Sequence, residues 1–145
     1  MQPLFDTNIF TTYKRLITPR DLARMALSMV VWYELTANTI TPDDLQTYEA
    51  WRVAAQKENR LLTPTMNDWR ECAKLVARAR WQEKRDHHGL TPRTEAAKLQ
   101  NDALIARAAY LRDAVVITNN VADFRKLKEF LNFKLTPANY YFGGV

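Results

Sequence analysis

The sequence is short of glycine, cysteine and long apolar runs, and each shortage excludes a class of protein. Only three of the 145 residues are glycine, which disfavours a β-sandwich with many tight turns and favours helices. Cys72 is the only cysteine, so no internal disulfide can form and we expect a reducing, cytoplasmic location. The longest apolar run, residues 29–33, is far shorter than the roughly 20 residues that cross a bilayer. No basic leader followed by an apolar segment indicates a secretory signal, so we expect neither export nor a membrane partner.

The length and the charge of the chain indicate how many domains it has and what kind of partner it could bind. The chain has the length of one domain, and we predict a single domain over residues 1–145. Hydrophobic residues make up 47% and charged residues 26%, as in folded globular proteins. The net charge of +5 and the pI near 9.5 suit a polyanionic partner such as a nucleic acid, although many basic proteins bind none.

Short apolar runs alternate with longer amphipathic segments, which predicts an α/β domain with a mainly parallel sheet. The predicted strands are residues 4–5, 23–27, 61–64, 114–118 and 134–137. Helices are predicted over residues 28–37, 41–58, 94–112 and 121–131, and from about residue 67 onward. Ser28 and Thr41 are predicted N-caps, because a hydroxyl at that position accepts from a free N–H of the first turn. Residues 85–93, with their glycine and proline, indicate a connection or a lid.

Acidic residues stand where the predicted elements meet. Asp6 ends the first predicted strand and Asp123 follows the fourth, and the carboxyl ends of parallel strands face one crevice. Glu34 and Asp102 lie on otherwise apolar helical faces that offer no basic partner, where a buried charge is costly. The fold is therefore predicted to gather these carboxylates.

A hard cation would make such a gathering favourable. Carboxylates drawn together raise one another's pKa unless a positive ion neutralises them. Oxygen-only ligands select Mg²⁺ or Mn²⁺ over zinc. A site of this kind hydrolyses phosphodiesters with a metal-activated water and requires no serine, cysteine or histidine nucleophile.

The run Leu4-Phe5-Asp6-Thr7-Asn8-Ile9 resembles the opening motif of PIN-domain ribonucleases, in particular the VapC-type toxins of toxin–antitoxin pairs. The later segments of that pattern follow in order at residues 28–35, 101–106 and 116–124, so the resemblance spans nearly the whole chain. It implies a three-layer α/β/α, PIN-like (Rossmann-like) domain with a central, mainly parallel sheet of four or five strands.

The resemblance also implies an activity and a site. The metal-binding, catalytic acids would be Asp6, Glu34, Asp102 and Asp123, supported by Asn8, Thr118 and Asn120. Many family members carry an acid where this chain has Asn120, so whether Asp123 or Asn120 completes the metal site stays open. The implied function is that of a Mg²⁺- or Mn²⁺-dependent endoribonuclease, the toxin of a type II toxin–antitoxin module. Its implied partners are an RNA substrate, a cognate antitoxin protein and a second copy of the chain in a homodimer.

Each acid also has a plainer interpretation. Asp6 could cap a helix that begins at Thr7, and Asp123 could cap the helix after the fourth strand in competition with Asn120. Glu34 could pair with a lysine or arginine, and Asp102 could pair with Arg20. The corresponding functional alternative is a PIN-like module that binds RNA or protein without cutting. A phosphoacceptor domain is disfavoured because residues 61–64 contain no aspartate and no lysine follows the fourth strand.

Other polar and aromatic residues have two interpretations each. His87 and His88 lie together on a polar segment, where further zinc ligands are missing and a solvated loop is favoured. The four tryptophans could stack on bases, but their spacing favours packing in the core or in a subunit interface. The candidate phosphate contacts, which could equally be solvated helix faces, are Arg78, Arg80, Lys84, Arg85, Arg125, Lys126 and Lys128.

Overall fold

Strands and helices alternate along the chain in the computed structural model, which describes residues 1–86 and 95–143. The strands are β1 (Pro3–Phe5), β2 (Leu27–Ser28), β3 (Leu61–Leu62), β4 (Val115–Thr118) and β5 (Lys134–Pro137). The helices are α1 (Thr7–Thr12), α2 (Pro19–Arg24), α3 (Met29–Ala37), α4 (Pro42–Lys57), α5 (Met66–Asp86), α6 (Ala96–Arg112), α7 (Val121–Lys128) and α8 (Ala138–Tyr141). A 3-10 turn at Lys14–Leu16 follows α1. In the described part of the chain, no helix combines the length and the apolar character needed to cross a membrane.

All strand pairings within the described residues are parallel. β1 pairs with β4 and β4 pairs with β5, while β2 pairs with β3. A bridge between Leu4 and Ala26 joins the two groups, and the Ala26 N–H donates to the Pro3 carbonyl at 2.9 Å. The strands thus run in the order β3-β2-β1-β4-β5, and the predicted mainly parallel sheet is confirmed.

Helices cover both faces of the central strands. Successive side chains of a strand point to opposite faces, and all three residues of β1 are buried. The Phe5 ring packs edge-on against Phe10 of α1 and Tyr141 of α8. α6 packs along β4, and Leu99, Ile105 and Ala106 of α6 are fully buried. This is the three-layer arrangement that the sequence predicted, and it is typical of sheets built from parallel strands.

The predicted second strand is wrong in its first half. Residues 19–24 form α2, because Thr18 and Asp21 make a capping box and Pro19 occupies the first helical turn. The strand begins only at Leu27. The six-residue helix α1 agrees with the plainer interpretation of Asp6, as the cap of a helix that begins at Thr7.

The predicted caps and most element positions are confirmed. The Ser28 hydroxyl accepts from the N–H of Val30 at 3.1 Å, and Thr41 caps α4 through the N–H of Asp44. Within the segment predicted as a connection or lid, Arg85 and Asp86 belong to α5. The rest of that segment, with His87 and His88, lies outside the described residues.

Candidate acidic site at the strand ends

Asp6 occupies the junction between β1 and α1. Its backbone N–H donates to the Ile117 carbonyl at 3.0 Å, which extends the pairing of β1 with β4. Its Oδ1 accepts from the N–H of Thr7 at 2.8 Å, so Asp6 does cap α1. The second oxygen, Oδ2, accepts from the Thr118 hydroxyl at 2.7 Å and from Asn8 Nδ2 at 3.1 Å. The capping role therefore uses one oxygen, and groups from two strand ends hold the other.

Hydrogen bonds of Thr118 and Asn8 link the ends of β1 and β4. Thr118 is fully buried, and its hydroxyl accepts the N–H of Asn120 at 2.9 Å besides donating to Asp6. Asn8 Oδ1 accepts the N–H of Asn119 at 3.2 Å. Two of the three predicted supporting residues thus contact Asp6 directly, and they fix the direction of its carboxylate.

Glu34 reaches the same edge from α3. Its Oε1 accepts from the hydroxyl of Thr7, the neutral residue next to Asp6, at 2.9 Å. Burial raises the pKa of Glu34, and the charge of Asp6 raises it further, whereas hydrogen bonds from Thr7 and Asn101 lower it. Thr7 and Asn101, each adjacent in sequence to a predicted acid, are contacts that the sequence analysis missed.

The pKa of Asp102 is affected by all three of the other predicted acids. Its Oδ2 accepts from Asn120 Nδ2 at 3.3 Å. Burial raises the pKa of Asp102 to about 8, and the charges of Asp6, Asp123 and Glu34 contribute in that order. An isolated aspartate has a pKa near 3.9. The predicted acids are therefore close enough to act on one another, and Asp102 is the acid on which their fields converge.

Asp123 lies in the first turn of α7 and has both a neutral and a charged partner. Its Oδ2 accepts from Asn120 Nδ2 at 3.1 Å, and its Oδ1 pairs with Lys126 Nζ at 3.3 Å. Asn120 precedes α7 without capping it, because its side chain makes no capping hydrogen bond. One amide group of Asn120 instead donates to two acids, Asp102 and Asp123.

The carboxylate oxygens of the four predicted ligands suit a hard cation, but in this structure they do not surround one common point. All four predicted ligands are carboxylates, the chemistry that Mg²⁺ and Mn²⁺ prefer over softer metals. Over residues 1–86 and 95–143, however, no three acidic, histidine or cysteine side chains form a group that could hold a metal ion. The Asn120 amide makes contacts with Asp102 and Asp123 that a cation would otherwise make. A bound ion would have to displace this amide or draw the acids closer together.

Comparisons with known proteins agree with this fold. No family model matches the chain, and no curated protein matches it in sequence. A chain in the structure of FitAB bound to an IR36 DNA fragment matches with a TM-score of 0.54 and 17% identity, covering 94% of this chain and 95% of that one. VapBC2 from Rickettsia felis bound to a promoter DNA fragment matches with a TM-score of 0.51 and 19% identity, over 94% and 98%. DNA-bound VapBC from Salmonella typhimurium matches with a TM-score of 0.50 and 20% identity, over 95% and 98%.

These matches cover nearly the full length of both chains, so the likeness concerns the whole fold. The fold is the PIN-like α/β fold that the sequence motifs predicted. Among the proteins that share it are chains of VapBC and FitAB complexes. At these identities the likeness is one of fold, and the activity has to be argued from the residues.

Proposed function

We propose that this protein is a Mg²⁺- or Mn²⁺-dependent endoribonuclease. The main supporting observation is the raised pKa of Asp102. Burial and the negative charges of Asp6, Asp123 and Glu34 raise it to about 8. Carboxyl groups with strongly perturbed pKa values are frequent in catalytic sites, and Asp102 of α6 contacts Asn120 just after the end of β4. The basic net charge of +5 suits a polyanionic substrate.

The proposal gives each residue a role. The ion would be held by Asp6, Glu34, Asp102 and Asp123. When bound, it would supply an activated water and stabilise negative charge on the phosphate and the leaving oxygen. Thr118 and Asn8 hold the carboxylate of Asp6 in position, and Thr7 does so for Glu34. Asn120 orients Asp102 and Asp123 through its single amide group.

We further propose that the protein acts as the toxin of a toxin–antitoxin pair and forms a homodimer in the cytoplasm. The support is the fold shared with chains of VapBC and FitAB complexes. A small protein that co-purifies with this chain and suppresses its nuclease activity would support the toxin role. Light scattering of the purified protein tests the dimer, since a monomeric mass would contradict it.

Cleavage of a mixed cellular RNA pool tests the nuclease proposal. We expect discrete cuts with Mg²⁺ or Mn²⁺ and none with EDTA. Asp6→Asn and Asp102→Asn should each abolish cutting, because each removes an anionic ligand. Asp43→Asn is the matched control, since Asp43 is an exposed acid in the first turn of α4, and it should cut like the wild type. Cutting that persists in EDTA or in both site variants would contradict the proposal, provided that circular dichroism shows intact folding.

A second candidate is a PIN-like module that binds RNA or protein without cutting. The observation that favours it is the absence, within the described residues, of three acids grouped to hold an ion. A wild-type protein that binds RNA but neither cuts it nor binds Mn²⁺ would favour this function.

A further inference from the structure

One exposed face of α5 carries cations and a tryptophan in a single row. The opposite face packs into the core through Cys72, Leu75, Val76 and Ala79. At a rotation of 100° per residue, five side chains of the solvent face fall within an arc of about 80°. They are Arg70, Lys74, Arg78, Trp81 and Arg85, all exposed, and we call them the α5 stripe. The stripe extends along roughly 22 Å of helix.

The α5 stripe is positively charged along its length. No carboxylate of the described residues of α5 falls inside the arc. Glu71 borders it and pairs with Lys74 at 3.2 Å between Oε1 and Nζ. Arg85 donates to the neutral Oε1 of Gln82 at 2.6 Å, which leaves its charge uncompensated by that contact. Two of the other candidate cations have partners of their own, since Lys126 pairs with Asp123 and Lys128 Nζ donates to the Phe133 carbonyl at 2.5 Å.

Trp81 presents its indole ring to solvent between these cations. It is 59% exposed, and no other aromatic ring of the described residues contacts it. Two of the other tryptophans are engaged in packing: Trp51 contacts Phe10 and Tyr48, and Trp32 Nε1 donates to the Tyr48 carbonyl. Trp69 is off the arc and lines an apolar groove between α5 and α6. Trp81 therefore departs from the packing that its spacing in the sequence favoured.

We propose that the α5 stripe binds single-stranded RNA, with its cations on successive phosphates and Trp81 stacked on a base. Proteins that hold single strands combine a basic track with aromatic rings, because phosphates repeat along the chain and every base has a face to stack on. An apolar protein partner would have to bury these charged groups without counter-charges, which is costly. The proposal rests on the proposed nuclease function, since it names the surface that would hold that enzyme's substrate.

The position of α5 suits this role. α5 packs against both α6 and α7, the helices that carry Asp102 and Asp123. RNA bound to the α5 stripe would therefore lie on a helix that packs directly against the two helices carrying Asp102 and Asp123. The stripe supplies affinity for the backbone, and the acids supply the chemistry.

Anisotropy of a short fluorescein-labelled RNA oligonucleotide, measured in EDTA at several salt concentrations, tests the proposal without cleavage. We expect Arg78→Gln with Arg85→Gln to weaken binding roughly tenfold. The log–log salt slope should fall by about 1.4, since each single-strand phosphate contact contributes about 0.7. The matched control is Arg20→Gln with Lys57→Gln, which removes the same charge from exposed positions on α2 and α4 and should leave the slope unchanged.

Trp81→Ala tests the stacking contact. We expect it to weaken binding roughly tenfold with an unchanged salt slope, because stacking carries no charge. Trp69→Ala is the control, since Trp69 is also exposed on α5 but lies off the stripe. Thermal melts verify that all variants fold.

The outcomes separate this proposal from the nuclease proposal. If the wild type cuts RNA but the stripe variants bind like their matched controls, the stripe proposal is overturned and the nuclease proposal stands. If the wild type never cuts but its RNA binding depends on the stripe, the nuclease proposal fails and the stripe proposal stands. Failure of the wild type to bind RNA at all overturns the stripe proposal.

Discussion

Asn120 is the residue whose side chain contacts two of the acids at once. Its Nδ2 lies 3.3 Å from Asp102 Oδ2 and 3.1 Å from Asp123 Oδ2. In Asn120→Asp, both donations are lost and a third carboxyl group is added beside Asp102 and Asp123. We predict that the metal-free variant is about 1–3 kcal/mol less stable at pH 9, because partly buried acceptors lose their donor and like charges repel. The same variant should bind Mn²⁺ more tightly than the wild type, since it offers one more anionic ligand.

Urea denaturation with EDTA and calorimetric titration with Mn²⁺ measure the two effects separately. Asn120→Ala is the control, because it removes the amide without adding a ligand. Asn120→Ala should be destabilised, but its affinity for Mn²⁺ should stay below that of Asn120→Asp. An Asn120→Asp protein whose Mn²⁺ affinity does not exceed that of Asn120→Ala would show that position 120 does not face the ion.

Which residues lie together at the strand ends could be predicted from the sequence, but their contacts could not. Asp6, Asn8 and Thr118 were chosen from motifs and strand ends, and the structure brings them into hydrogen-bond contact. The double contact of Asn120 depends on the direction of one side chain after three elements have packed. The ion pair of Asp123 with Lys126 was missed although the i, i+3 spacing on a helix indicates it.

At the scale of elements, α5 and α6 are joined by a mostly covered ion pair. Arg107 Nε lies 2.7 Å from Asp68 Oδ1, and the side chains are only 16% and 15% exposed. Partial burial acts to raise the pKa of Asp68, but hydrogen bonds from Thr65 and Arg107 outweigh it, and the pKa is lowered from 3.8. The folded state therefore binds this proton less readily than the unfolded state. The resulting stability is present above the unfolded pKa and is lost as the pH falls through the lowered folded pKa.

We accordingly predict that Asp68→Asn lowers the free energy of unfolding by about 1–3 kcal/mol at pH 7, in line with the loss of charged hydrogen bonds. The difference from the wild type should shrink as the pH falls below 3.8, where the wild-type carboxyl also becomes neutral. Urea denaturation over a pH series measures it, with Asp43→Asn as the exposed control. A destabilisation that is independent of pH would contradict the assignment to this carboxylate.

Elements with one dominant signal could be predicted, and elements with competing signals could not. β4 and β5 follow from apolar or β-favouring runs that turn signals bound. α2 was missed because the mostly apolar residues 23–27 indicated a strand, although Thr18, Pro19 and Asp21 form a complete helix-start signal. α1 could be predicted only from the capping interpretation of Asp6, because it is short and follows β1 with only Asp6 between them. Tertiary packing decides such cases, since isolated short helices are marginal in water.

For the whole molecule, gathering several acids at the strand ends leaves an even more basic remaining surface. The net charge is +5 although the four site acids are included in that sum. The predicted consequence is an RNA affinity that weakens steeply with salt, with the α5 stripe as its main source. The fold class, by contrast, could be predicted from sequence because motif order and strand pattern both indicated the same parallel topology.

The central claim is that Asp6, Glu34, Asp102 and Asp123 together bind a cation. Titration of the metal-free protein with Mn²⁺, followed by calorimetry and by thermal melting, tests it. We predict saturable binding that raises the melting temperature and is lost in Asp6→Asn and Asp102→Asn. Binding should tighten from pH 6 to pH 9, because burial and the neighbouring acids hold the pKa of Asp102 at about 8 and below it the ion must displace a proton. No saturable binding at any of these pH values, or equal binding by both variants, would contradict the claim.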